Sequence, residues 1–121
     1  MATDHNFYQG FEGEPELIVE LRVARARKAT VRAWTGYFDE LMALVPPSAE
    51  GWTGLALHYH LCTGWQEENE WIDPDPADTR SKLDAARDLL SSETARSFAD
   101  ALLSLYGGVV REGGVVVWRL E

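Results

Sequence analysis

Between Pro15 and Pro46 the chain has no proline, and its less polar side chains recur at intervals of three and four residues. This spacing is typical of an amphipathic helix, in which such residues share one face. Proline suits the first helical turn and disfavours helical geometry at the residue before it, so both ends of the stretch have a physical cause. The pattern predicts one long helix from Pro15 to Leu44, with a stripe formed by Val19, Val23, Ala26, Thr30, Ala33, Trp34, Tyr37, Leu41 and Leu44.

The first part of this stretch, LIVELRV at residues 17–23, also has the pattern of a strand. Apolar side chains alternate there with Glu20 and Arg22, and branched apolar residues favour strands. In this interpretation the helix begins only near Thr30. The single long helix is the favoured prediction, and the strand is its alternative.

Three further helices are predicted from their capping residues. Ser48 is placed to cap a helix over residues 49–63. Asp75 can cap a helix that opens with Pro76, and Ser92 can cap the next one. The apolar residues that the last two helices direct inward are Leu83, Ala86, Leu89 and Leu90 in the first, and Ala95, Phe98, Ala99, Leu102, Leu105 and Tyr106 in the second.

The C-terminal part is predicted to be a β-hairpin. Gly107–Gly108 is expected to end the last helix, and two β-branched runs then meet at Gly113–Gly114. The predicted fold is mainly α: a small four-helix domain with a C-terminal β-hairpin, spanning residues 1–121 as a single domain with residues 1–13 as a non-regular lead-in. The alternative is an α+β domain with a three-stranded sheet that includes residues 17–23.

The net charge of the chain limits which classes of molecule it is expected to bind. Twenty acidic and eleven basic residues give a net charge of -9, which disfavours non-specific nucleic-acid binding and favours a basic partner. No apolar run approaches the roughly 20 residues of a membrane-spanning helix. The N-terminal residues lack the pattern of a secretion signal, and one cysteine allows no internal disulfide. We therefore expect a cytoplasmic protein without membrane contact.

The segment LALHYHLCTGW places His58, His60 and Cys62 at every second residue. On a strand all three would share one face, as the ligands of a metal do. On a helix only His58 and Cys62, four residues apart, can meet. Because the caps favour a helix, the favoured interpretation is a packed element with no metal and no cofactor.

A zinc site is the alternative interpretation of these three residues. Zinc usually has four ligands, so the site would need a further donor. A bound zinc ion could activate water for hydrolysis, with a nearby carboxylate as the base. The residues that could complete such a metal-dependent hydrolase are His5, Glu67 and Glu68.

A basic stripe follows from the predicted first helix. Arg22, Arg25, Lys28 and Arg32 would share a narrow sector of it. A solvated face paired with carboxylates is the favoured interpretation. An anion-binding module that uses this stripe is the alternative.

An acidic segment with two tryptophans is the strongest candidate for a binding surface. Trp65 and Trp71 bracket QEENE in the least regular part of the chain, whereas Trp34, Trp52 and Trp118 lie on apolar patterns and are predicted to be core. Tryptophan is frequent among interface hot spots, and carboxylates attract basic partners. The residues predicted to bind the partner are Trp65, Glu67, Glu68, Glu70, Trp71, Asp73, Asp75 and Asp78.

The sequence favours a binding role over an enzyme. It contains none of the patterns GxGxxG, GxxxxGK[ST], GxSxG, HExxH or CxxC, which mark common nucleotide, nucleophile, metalloprotease and redox sites. The predicted function is a small acidic interaction protein, a regulator or an inhibitor, that engages a basic protein.

Overall fold

In the part of the chain that the structure describes, five strands and three helices form an α+β fold. The computed structural model describes residues 3–8, 10–24, 26–45, 51 and 70–120. In chain order the elements are β1 (Thr3–Phe7), β2 (Glu16–Val23), β3 (Ala26–Trp34), α1 (Thr35–Ala43), β4 (Trp71–Ile72), α2 (Pro76–Arg87), α3 (Glu93–Glu112) and β5 (Val115–Leu120).

The strands form one mixed sheet in the order β1-β3-β2-β5-β4. β1 lies parallel to β3, and the other three neighbouring pairs are antiparallel. β2 is paired along both edges, with Val19 opposite Val31 of β3 and Trp118 of β5. The apolar core lies between one face of this sheet and the helices.

The prediction of a mainly α fold with one helix from residue 15 to residue 44 is wrong. That stretch contains β2, β3 and the short helix α1. Val19 and Ala33 of the predicted helical stripe do face the core, but they do so from the paired strands β2 and β3. Every second residue of a strand faces the same side, and the helical spacing arose by coincidence from such positions. The strand alternative for residues 17–23 has the correct class, although the sheet has five strands, and not three, among the described residues.

The two later helices begin where the sequence predicts. The Asp75 side chain accepts a hydrogen bond from the Asp78 amide at 3.2 Å, and the Ser92 side chain accepts one from the Ala95 amide at 2.9 Å. Of the ten residues that these helices were predicted to direct inward, nine are buried. The exception is Leu89, which is 64% exposed. The helix predicted over residues 49–63 lies outside the described part of the chain, apart from Gly51 in an isolated bridge.

The N-terminal lead-in contains regular structure. Thr3–Phe7 forms the edge strand β1, and the ring of Phe7 meets the ring of Phe98 edge to face at 6.0 Å. Phe11 stacks on Trp34 with ring centroids 4.5 Å apart. Of the tryptophans predicted to be core, Trp118 is fully buried, Trp34 is half-buried, and Trp52 lies outside the described residues.

The predicted C-terminal hairpin is also wrong. Helix α3 continues through Gly107 and Gly108 to Glu112, and β5 pairs with β2 and β4. A side chain at position 108 would meet Leu21 of β2, with its Cβ only 2.5 Å from Cδ2, so glycine lets the helix lie close to the sheet. The turn is made by Gly113 and Gly114, both at positive φ.

Gly114→Ala should destabilise the fold far more than Gly13→Ala. The two glycines have nearly equal φ angles, 93° and 95°, so both alanines carry a similar backbone strain of about 1–2 kcal/mol. A Cβ at position 114 would also collide with the carbonyl oxygen of Arg22, whereas nothing lies within 4 Å of one at position 13. We expect Gly114→Ala to lower the free energy of unfolding by about 2 kcal/mol more than Gly13→Ala. Equal losses in urea unfolding would contradict this packing.

Candidate functional site

The acidic segment predicted to bind a partner is described from Glu70 onward; Trp65, Glu67 and Glu68 lie outside the described residues. The Glu70 carboxylate accepts a hydrogen bond from Arg22 at 2.6 Å, and Arg119 lies 3.7 Å from it. The hydrogen bond from Arg22 holds the pKa of Glu70 below its usual value. Glu70 is therefore engaged on the sheet face opposite the helices.

Trp71 and Asp73 are held by the fold as well. Trp71 lies in β4, where it is paired with Trp118 of β5 and packs half-buried against the core. Asp73 is only 3% exposed. Its carboxylate accepts hydrogen bonds from the Tyr106 hydroxyl at 2.5 Å and from the Asp75 amide at 2.9 Å. The side chain of Asp73 is therefore directed into the protein.

Tyr106 connects Asp73 to the indole of Trp118. The Trp118 Nε1–H donates to the Tyr106 oxygen at 2.8 Å, and the hydroxyl donates onward to Asp73. Burial, and then the neighbouring Asp73 carboxylate, raise the pKa of Tyr106 far above its ordinary value. The phenol therefore stays protonated and acts as a fixed donor that joins β4, β5 and α3.

Asp75 and Asp78 lie at the first turn of α2. Asp75 caps the helix, and the Asp78 carboxylate forms an ion pair with Lys82 at 2.9 Å, four residues along. Both side chains remain at the surface. They flank Pro76 and Ala77, which begin one wall of a groove.

This groove, the α2–α3 groove, runs between the two helices and has a volume of about 590 Å³. Such a volume is within the range of ligand-binding sites. Val110 at its edge is 74% exposed, and Arg80 and Asp84 project from α2 one turn apart. The lining residues are Pro76, Ala77, Arg80, Ser81 and Asp84 from α2, and Leu103, Tyr106, Val109 and Val110 from α3. The groove thus joins an apolar floor to one wall that carries both signs of charge.

The basic stripe was predicted on a first helix that the described residues do not form there, because Arg22 lies in β2 and Lys28 and Arg32 lie in β3. Arg22 bonds to Glu20 and Glu70, and Arg32 bonds to Glu16, all on the sheet face opposite the helices. Arg25 lies outside the described residues, and Lys28 lines a separate cavity beside α3. Sequence reasoning missed the groove because its two walls come from separate helices, and no local spacing in the sequence relates them.

The histidine–cysteine cluster of His58, His60 and Cys62 also lies outside the described residues. Within the described part of the chain, no group of three His, Cys, Asp or Glu side chains is close enough to hold a metal ion. No described helix is long and apolar enough to cross a membrane.

Comparisons with protein-family models, with curated proteins and with solved structures find no significant match. The function is therefore inferred from the residues and geometry of this chain.

Tyr106→Phe should destabilise the protein by about 2–4 kcal/mol. The change keeps the ring but removes the hydroxyl that satisfies both Asp73 and Trp118, and each buried group left unpaired costs about 1–3 kcal/mol. Tyr37→Phe is the matched control, since Tyr37 is half-buried and its hydroxyl has no hydrogen-bond partner among the described residues. We expect less than about 0.5 kcal/mol there. Similar losses in chemical unfolding would show that the buried network carries no stability.

Glu70→Gln should remove a small part of the stability at neutral pH. The folded pKa of Glu70 is depressed, so its contribution is present above the ordinary glutamate pKa and is lost as the pH falls through the lower folded value. The side chain is 40% exposed, so we expect less than about 1 kcal/mol at pH 7. The difference between the two proteins in urea unfolding should shrink below about pH 4. A difference that is constant down to pH 2 would contradict the ion pair.

Proposed function

We propose that the chain is a protein-interaction domain whose α2–α3 groove binds an amphipathic helix of a basic partner protein, as a regulator or an inhibitor would. The observation that carries this proposal is the apolar floor of the groove, bordered by Val110 at 74% exposure. Aliphatic side chains gathered in a groove between helices are suited to the apolar face of a third helix.

The dimensions of the groove support a helical ligand. The α3 side is formed by Leu103, Tyr106 and Val110, spaced three and four residues apart, and the α2 side by residues 76–84. Each wall is therefore about 12 Å long. That length matches two turns of a partner helix, which would place apolar residues at positions i, i+3 or i+4, and i+7 in the groove.

Charge supports a basic partner. The net charge is -9. Of the ten Lys and Arg residues that the structure describes, five are paired with carboxylates of the chain itself: Arg22, Arg32, Lys82, Arg87 and Arg119. Asp84 on the wall would attract cationic side chains of the partner, and Asp75 and Asp78, which flank Pro76 and Ala77 in the chain, would add to the negative potential there. Such attraction mainly speeds association.

Arg80 would fix the orientation of the ligand. It is exposed on the groove wall and forms no ion pair among the described residues. A carboxylate of the partner opposite Arg80, with basic residues opposite Asp84, would allow only one direction of the helix. A helix bound in the opposite direction would bring like charges together, and this repulsion would make the binding specific for one direction.

The acidic segment supports the groove in this proposal. Asp73 holds Tyr106, which lines the groove, and Asp75 begins α2, which forms one wall. Trp65, Glu67 and Glu68 precede these residues in the chain, and we propose that they extend the contact with the basic partner. We expect the domain to act in the cytoplasm.

Photo-crosslinking from inside the groove tests the proposal. Benzoylphenylalanine is placed at Ser81, which lines the groove, and at Ser97, which is exposed on α3 outside it. Irradiation in an extract of the native cell should give a covalent adduct with a basic protein from position 81 and none from position 97. Equal labelling from both positions would contradict a groove-specific partner.

Two aspartate variants then locate the interface. Val110→Asp and Leu89→Asp both replace an exposed aliphatic side chain, but only Val110 lines the groove. We expect Val110→Asp to reduce the adduct from position 81 by at least about tenfold, because interface hot spots contribute about 2 kcal/mol or more. Leu89→Asp should leave it unchanged. Equal effects of the two variants, with folding intact, would mean that the interface is not the groove.

A further inference from the structure

We infer that a second cavity, between β1, β3 and α3, binds a phosphate-sized oxyanion. This inference is independent of the proposed function of the α2–α3 groove. The cavity has a volume of about 280 Å³, and the polar residues that line it are His5, Lys28, Ser104, Arg111 and Glu112. We call it the polar cavity.

Lys28 reaches this cavity because β3 contains an irregularity. Leu21 of β2 is opposite Ala29, and the next residue, Arg22, is opposite Arg27, so Lys28 has no partner on β2. Regular alternation would place Lys28 on the same face as Thr30, away from the helices. An extra residue in one strand is a β-bulge, and it changes the face of the sheet to which a side chain points. Such bulges are frequent beside functional sites. Lys28 accordingly lines a cavity on the helix side of the sheet.

The position of the Arg111 side chain depends on Gly107 and Gly108, which precede it in α3. Ser104, Gly108 and Arg111 are four and three residues apart, so they share one helix face. A Cβ at Gly107 would lie 3.2 Å from Nη1 of Arg111, which shows that the guanidinium is folded back along the helix. The missing side chain at Gly107 leaves the space that the guanidinium occupies, and Arg111 and Ser104 both line the cavity.

The basic groups of the polar cavity differ from most others in the chain. His5, Lys28 and Arg111 make no ion pair or side-chain hydrogen bond among the described residues, whereas Arg22, Arg32, Arg87 and Arg119 do. Lys28 and Arg111 carry positive charge at the lining of the polar cavity, so they produce a local positive potential in an otherwise acidic protein. Among the described residues of the lining, Glu112 is the one carboxylate, and it opposes an anion.

The donor set fits a phosphate group. A guanidinium can bind two phosphate oxygens at once, and an ammonium binds phosphate as a point charge. A serine hydroxyl and an imidazole supply further donors for the remaining oxygens. The volume has room for the anion and for a small substituent, so both free phosphate and a phosphomonoester have the required chemistry.

Titration with inorganic phosphate tests this site. Amide resonances of the full chain are followed at constant ionic strength, with chloride as the reference anion. The shifts should saturate and be confined to residues around His5, Lys28, Ser104 and Arg111. Methyl phosphate is titrated in parallel: tighter binding than phosphate would identify an ester as the ligand, and weaker binding would identify the free ion. Shifts that do not saturate, or that are spread over the surface, would overturn the proposal.

Four variants should change phosphate binding in different directions and by different amounts. Lys28→Gln and Arg111→Gln should each weaken phosphate binding by about tenfold, the loss expected for one charge-assisted hydrogen bond. Arg27→Gln, which changes the net charge equally but lies outside the lining, should have less than about a twofold effect. Glu112→Gln should tighten binding. Overlaid amide spectra establish that the variants are folded; equal effects of Lys28→Gln and Arg27→Gln would then overturn the site.

Discussion

The burial of β2 on both of its faces is the constraint on which the rest of the structure depends. The strand is paired with β3 and β5, and its first six residues are buried. Leu17, Val19 and Leu21 face the helices, while Glu16 and Glu20 lie on the other face. A buried carboxylate is costly unless it is paired, so the two neighbouring strands must supply cations. Arg32 of β3 forms an ion pair with Glu16, and Arg119 of β5 forms one with Glu20. Arg22 of β2 itself forms a second ion pair with Glu20.

The long helix α3 converts this sheet into a surface with two different sites. Gly108 lets the helix lie against Leu21 of β2, which fixes its height above the sheet. One side of α3 then faces α2 and contributes Leu103 and Val110 to an apolar groove, and another side faces β1 and β3 and contributes Ser104 and Arg111 to a polar cavity. The buried network of Asp73, Tyr106 and Trp118 holds the same helix to the far edge of the sheet. Both proposed sites therefore depend on the position of one helix.

Local signals predicted the parts of the fold that local chemistry determines. The caps at Asp75 and Ser92 and the apolar stripe of α3 were sufficient to predict two helices. The favoured prediction for β2 was wrong because the three- and four-residue spacing between Pro15 and Pro46 outweighed the strand pattern of residues 17–23, and the paired Glu16 and Glu20 resemble exposed residues. Local reasoning failed at Gly107–Gly108 because the side chain for which Gly108 makes room is Leu21, which is far away in the chain.

The candidate sites were less accessible to sequence reasoning than the helices. Asp73 belonged to an apparently exposed acidic run, yet its carboxylate is buried by a contact with Tyr106, 33 residues away. The polar cavity gathers His5, Lys28 and Arg111 from three separate elements, and no local spacing relates them. The sequence predicted Lys28 on a basic helical stripe, but the residue lies in β3, and its surroundings follow from an irregularity in strand pairing.

Native-state hydrogen exchange of the β2 amides tests the central role of this strand most directly. If β2 is the element on which the fold depends, the amides of Val19 and Leu21 exchange only when the whole protein unfolds, and their protection equals the free energy of global unfolding. The amides of α2, which packs at the outside of the core, should exchange through smaller openings. The account is contradicted if Val19 and Leu21 exchange faster than the amides of α2, because the sheet would then open while the helices remained folded.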